Sequence, residues 1–173
     1  ATTGHALTSA TVGEIVGSDG KVYAGTDYNT LPNSVTAVAM VCYVDGNGHG
    51  LAIALDDESG TMDWGDANDA CSSKNPVTGG KWRLPSIKDW QYMFIGCGAS
   101  GSYSDNPQVM SYSELASKLS TAHGKVLVDD DFYWSSTKMD ADFYWGLYID
   151  GDDVEFRKQD DGNGLHVRAC LAF

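Results

Sequence analysis

The sequence predicts an α+β domain. Three features carry this expectation: short β-prone stretches separated by glycine turns at the start, two helix signatures with their own N-caps in the middle, and a return to β patterning over the last third. Twenty Gly against four Pro, with nine Tyr and five Trp, point to many turns and aromatic anchors rather than a helical bundle. No repeat, low-complexity tract or linker composition divides the chain. Residues 1–173 therefore read as one domain, with 1–12 as a loose N-terminal lead.

The elements follow in order. Gly13 to Ala24 places Asp19-Gly20 between two short β-prone stretches, which predicts a hairpin. Thr36 to Val44 is apolar on both alternating faces, as in a central strand, with Cys42 expected on one face with Val38, Met40 and Val44. Asp45-Gly-Asn-Gly48 turns it back into Leu51 to Leu55. Trp64, Ala67 and Cys71 recur at helical spacing behind Asp63, a good cap. The second helix starts at Ser86, with Asp89 three residues on and Trp90, Met93 and Phe94 as its buried stripe. Gly96 to Pro107 reads as a long loop, and Tyr112 to Leu119 as a short helix stopped by Gly124.

Charge excludes some partners. Eleven Lys+Arg against 24 Asp+Glu give a net charge of −13 and a pI near 4.3, so a phosphate backbone or an anionic membrane is repelled. Nucleic acid and membrane insertion are not expected, and no apolar run approaches the ~20 residues that a membrane span needs. A charged leader followed by an apolar stretch is also missing at the start, so the chain reads as a trimmed mature form. Cys42, Cys71, Cys97 and Cys170 form no C-x-x-C pair, which removes the spacing of a structural zinc site and leaves disulfides or buried thiols.

The candidate site is a second hairpin. Phe143 to Asp150 and Asp152 to Lys158 flank Gly151, and an Asp150-Gly151 turn predicts Leu147 opposite Val154 and Trp145 opposite Phe156 on an apolar face. The other face then pairs Tyr148 with Asp153, Gly146 with Glu155 and Tyr144 with Arg157. Rigid aromatic area beside an arginine and acids suits recognition, although polar residues also alternate on an ordinary solvent face.

Three strings decide between these readings: Trp82-Arg-Leu-Pro-Ser86, Tyr133-Trp-Ser-Ser-Thr137 and Val167-Arg-Ala-Cys-Leu-Ala-Phe173. Together they resemble bacterial C-type-lectin-like domains, and the chain from about His5 to Phe173 is similar to the variable proteins of diversity-generating retroelements. The resemblance implies a C-type-lectin-like fold with mixed or antiparallel sheets, two main helices and long loops. It implies a non-enzymatic display protein, exported to a cell surface or phage particle, that binds a protein or cell-surface glycan. Residues 133–173 become the diversified region, with Asp140, Asp142, Tyr144, Tyr148, Asp150, Asp152, Asp153, Glu155, Arg157 and Asp161 as contact residues. Trp82, Arg83, Trp134 and Arg168 are scaffold, both arginines are expected to meet buried carboxylates, and the resemblance pairs Cys71 with Cys170 in a disulfide. No cofactor, metal or catalytic residue is implied.

Three other classes compete. A calcium-dependent lectin would use acidic loops such as Asp150–Asp153 and Asp160–Asn163, but the Glu-Pro-Asn, Gln-Pro-Asp and Trp-Asn-Asp strings of sugar-binding members do not occur. A formylglycine-generating-enzyme-like oxidase needs reactive cysteines in an open cleft, whereas Cys170 lies in an apolar strand. A pilus or fibre tip subunit differs from the favoured reading mainly in its partner.

Overall fold

The computed structural model describes residues 3–107 and 109–173 and is a mixed α+β fold built on two antiparallel sheets. In chain order the elements are β1 (His5–Ala6), β2 (Ile15–Gly17), β3 (Lys21–Tyr23), β4 (Ala37–Val44), β5 (Gly50–Ala54), α1 (Trp64–Ser72), β6 (Lys81–Arg83) and α2 (Ile87–Gly96). They continue with β7 (Met110–Ser111), α3 (Ser113–Thr121), β8 (Asp131–Lys138), β9 (Phe143–Asp150), β10 (Asp153–Asp160) and β11 (Cys170–Ala172). The large sheet runs β1-β3-β2-β4-β5-β11-β6 and the small one β7-β10-β9-β8. Every strand-to-strand pairing is antiparallel among the described residues, and a single Tyr133–His166 bridge is parallel.

The large sheet is apolar on both faces, which explains why β4 and β5 read as continuous hydrophobic runs. Met40, Cys42, Ile53 and Cys170 face one half of the core, filled by Trp90, Phe94 and Leu115 from the helices and by the inner side of the small sheet. Ala39, Val41, Ala52 and Leu171 face the other half, with Ala67 and Cys71 of α1, Trp82 and Trp134. A bulge between Val41 and Tyr43 turns the end of β4 over. Cys42 therefore shares its side with Met40, as expected, but Val44 and Val38 pack against the opposite half.

The local signals for the helices were well placed. Asp63 accepts the Asp66 amide at the start of α1, and α2 opens on a full capping box in which Ser86 and Asp89 exchange side-chain and backbone bonds. The side chain of Gln91 then holds the Gly-rich 96–107 loop by bonding both the carbonyl and the amide of Ser104 at 3.0 and 2.9 Å. With nine residues α3 matches α1 in length, so the domain has three comparable helices instead of two main ones. The left-handed residue that ends α3 is His123 (φ +62°), while Gly124 serves close packing, since a Cβ there would lie 2.4 Å from Leu119 Cδ1. Residues 5–10, expected within a loose lead, are tied down: β1 pairs with β3, Leu7 is buried, and His5 bonds Glu14 at 2.5 Å.

All four cysteines are buried thiols. Cys71 and Cys170 are not bridged in the structure, against the disulfide implied by the resemblance: neighbours along β11 alternate faces, and Cys170 packs in one half of the core while Cys71 packs in the other. Burial pushes the Cys71 thiol from 9.0 up to about 12, with the Glu58 charge adding and Lys74 opposing. Burial and then Asp89 likewise raise Cys170. Because these folded-state values lie above the unfolded ones, the stability they contribute is complete below pH 9.0 and is lost as the pH rises toward 12. The melting temperature is therefore expected to hold to about pH 9 and fall steadily above it, less steeply for Cys71→Ala. A flat profile to about pH 11 would contradict this.

Candidate functional site

The small sheet has one face on the core and one outward. Its inner face carries Tyr133, Leu147, Ile149, Val154 and Phe156, all buried against α2 and α3. The observed register pairs Asp153 with Asp150, Glu155 with Tyr148, Phe156 with Leu147 and Arg157 with Gly146. The turn is thus Gly151-Asp152, not Asp150-Gly151, and each predicted cross-strand pair is displaced by two residues on one strand. Gly151 is left-handed (φ +61°) and Asp152 is not, the sign pattern of a II′ turn. A displacement of two preserves the alternation, so the predicted inner and outer faces stand although their pairs change.

The outward face divides into two parts. Across its middle run Trp134, Gly146 and Arg157. Gly146 leaves no room for a side chain, since a Cβ would meet Gln159 Cγ at 2.6 Å and Leu165 Cδ2 at 3.4 Å. On one side of this row Tyr144 lies flat on Trp64 of α1, centroids 4.2 Å apart, and Trp64 donates Nε1 to the Ser135 carbonyl at 3.1 Å. Tyr144 is half-buried and belongs to the packing of α1 on the sheet. This corrects the expectation that Tyr144 is a contact residue on the same open face as Tyr148 and Arg157.

On the other side a compact cluster is preassembled. The Arg157 guanidinium lies 4.4 Å over the Tyr148 ring and 5.9 Å from Phe132, and Phe132 and Tyr148 are tilted together at 4.8 Å. Arg157 also bonds Glu155 at 3.1 Å. The Tyr148 hydroxyl donates to Asp130, and that bond, followed by burial and the neighbouring carboxylates, pushes the phenol up to about 12. Asp129 accepts the Gly151 amide at 2.8 Å, fastening the hairpin tip to the preceding loop. Asp150, Asp152 and Asp153 are exposed at that tip.

The remaining expected contact residues lie at the far end. Asp140 accepts the Asp142 amide at 3.1 Å and faces Lys158 at 4.0 Å, while Lys158 caps the Phe143 ring at 3.8 Å. The backbone carbonyl of Asp161 accepts the Trp64 amide at 3.0 Å, which leaves its side chain exposed. The sequence reading missed Phe132, Asp129 and Asp130. The signal was present: Phe132 alternates in step with Trp134, but the boundary at residue 133 cut it off.

Trp82 and Trp134 are buried, and Trp82 donates Nε1 to Asn75 at 3.0 Å. Arg168 is fully buried on Asp57 at 2.6 Å. Arg83 forms a two-pronged pair with buried Asp89, at 3.0 and 2.8 Å, although its own side chain is half exposed. Among the described residues no three His, Cys, Asp or Glu side chains converge as a metal site would require, and no helix is long and apolar enough to cross a membrane.

No family model and no curated protein matches the chain. Among solved structures it is similar to the crystal structure of a fimbrial protein from Bacteroides ovatus, with a TM-score of 0.60 and 13% identity over 95% of this chain and 49% of that one. The chain thus spans about half the length of that protein, and the likeness is one of fold.

Proposed function

We propose that this chain is a non-enzymatic display domain of the C-type-lectin-like class, presented on a bacterial cell surface or phage particle, that binds a protein or glycan ligand on the outward face of its small sheet. The carrying observation is the Phe132–Tyr148–Arg157 cluster: its rings and guanidinium are already packed together, so binding loses little side-chain entropy there. Beneath it, the buried Leu147, Ile149, Val154 and Phe156 hold the strands independently of Tyr148 and Arg157, a property suited to diversification at those positions. A pilus or fibre subunit is the second reading, favoured by the fold shared with a fimbrial protein; it gives the same face a neighbouring subunit as its partner.

Alanine replacement of Tyr148 and Arg157 tests the site. Each is expected to weaken a partner recovered by pull-down from cell-surface extracts by about 30-fold, close to 2 kcal/mol, with stability changed by less than about 1 kcal/mol. Equal binding by both variants would exclude this face. A reverse transcriptase gene beside the coding sequence, with a near-copy of the segment for 133–173, would support the diversified reading over the fibre subunit.

A further inference from the structure

Three of the four thiols, those of Cys42, Cys97 and Cys170, lie in one half of the core, and Cys71 lies in the other. Two of the three, Cys42 and Cys97, come from elements that cross closely. The C-terminal end of α2 runs so close to β4 that a Cβ on Gly96 would lie 2.1 Å from the Cys42 carbonyl oxygen and 3.1 Å from the Tyr43 Cα. Only glycine fits at that crossing. The next residue, Cys97, is therefore delivered to the strand, with Sγ 3.9 Å from the Cys42 carbonyl oxygen, while the Cys42 Sγ lies 3.5 Å from the Met40 carbonyl oxygen of the same strand. A disulfide requires a close backbone approach, with Cα atoms roughly 4.4–6.8 Å apart, and the Gly96 crossing supplies such an approach between α2 and β4. Cys170 is turned away toward Asp89, its Sγ 4.0 Å from Oδ2.

We propose that Cys42 and Cys97 form the disulfide of this domain, clamping the end of α2 to β4, and that Cys71 and Cys170 remain thiols. The inference rests on the exported location proposed above for its setting, not for its pairing. In forming the S–S bond the two thiols give up two protons and two electrons. A disulfide of the compartment accepts them by thiol–disulfide exchange through a mixed disulfide and leaves as two thiols. The exchange belongs to folding, before Cys42 and Cys97 are sealed at 0% and 4% exposure.

The pairing is tested on purified protein, independently of where the cell places it. Reduced, unfolded protein is refolded in a mixture of oxidised and reduced glutathione, denatured, alkylated with iodoacetamide, and mapped by mass spectrometry without reduction. The expected map has one linked pair containing Cys42 and Cys97, with Cys71 and Cys170 alkylated. The melting temperature is expected to drop by about 5–10 °C on adding a reductant. That drop should vanish in Cys42→Ala/Cys97→Ala and persist in Cys71→Ala/Cys170→Ala. Four alkylated cysteines, or a linked Cys71 and Cys170, overturn the proposal. Because the wild-type map decides by itself, a variant that fails to fold leaves the test intact. A correct map together with loss of neither binding nor stability in the Tyr148 and Arg157 variants would sink the proposed ligand face while leaving the disulfide standing.

Discussion

Replacing Arg168 by methionine is expected to lower the unfolding free energy by about 3–5 kcal/mol, a large part of the ~5–15 kcal/mol that a domain has. The side chain is 0% exposed, and its Nε donates to Asp57 at 2.6 Å while Nη1 donates to the carbonyls of Ala54 and Lys125 at 3.1 and 2.8 Å. Asp57 accepts in addition from the Tyr133 hydroxyl at 2.7 Å, and that hydroxyl accepts the Val128 amide at 2.9 Å. Methionine fills much of the volume but leaves Asp57 without its counter-charge and two carbonyls without donors, the costly way to break a buried pair. Asp57→Asn added to Arg168→Met should recover part of the loss, because it removes the stranded charge. Lysine is a poor substitute, since one ammonium cannot reproduce the planar fork that reaches three acceptors. Arg83→Met is the contrast: that side chain is half exposed, so its loss should stay near 1 kcal/mol. Urea unfolding of the four variants checks the order, and an Arg168→Met protein within about 1 kcal/mol of wild type would refute it.

Trp134→Ala should cost a similar ~3–5 kcal/mol for a different reason. Trp134 is 0% exposed, its Nε1 donates to the Met62 carbonyl at 2.8 Å, and its own carbonyl accepts Nε1 of Trp90 at 3.3 Å. It therefore joins the outward side of the small sheet to the half of the core that holds α1, while its backbone touches the other half. Truncation opens a cavity the size of an indole and removes one of the two hydrogen bonds to the Met62 carbonyl, which keeps the Leu165 amide at 3.1 Å. Tyr144→Ala should fall between this and the surface variants, at about 1–2 kcal/mol, because it loses the stack on Trp64 but keeps the strand pairing. Thermal unfolding separates the three groups, and a Tyr144→Ala protein as stable as Tyr148→Ala would mean that the Trp64 stack contributes nothing.

Features fixed by neighbours in sequence were legible. The caps at Asp63 and Ser86, the buried stripe of α2 and the Asp19-Gly20 hairpin each depend on residues a few positions apart, and each is found. The two faces of the β9–β10 hairpin were also legible, because a period of two survives a displaced turn. The exact pairs were not. Glycine suits the second turn position of a I′ turn and the first of a II′ turn, so the sequence around Gly151 does not choose. Contacts from elsewhere hold the observed turn: Asp129 on the Gly151 amide and the Tyr112 amide on the Asp152 carbonyl. The same distance in sequence hid the burial of Tyr144, which depends on Trp64, and the approach of Cys97 to Cys42. The division of the candidate site into an open and a covered half thus came from tertiary packing, which the hairpin's own pattern does not encode.

The position of β11 has a consequence for how the molecule is made. This strand, the most C-terminal of those described, lies inside the large sheet between β5 and β6, with Cys170 opposite both Ile53 and Arg83. Until it arrives, β5 and β6 each have an unpaired edge, and apolar residues on both faces of the sheet lack neighbours. During synthesis from the N-terminus the sheet therefore stays open until residues 170–172 have left the ribosome. Its contacts are long in sequence, so closure is also slow. Until β11 is added, a nascent chain of this kind exposes strand edges of the sort that promote aggregation. Premature stop codons even a few residues before Cys170 would yield an unfolded product, not a shortened working domain.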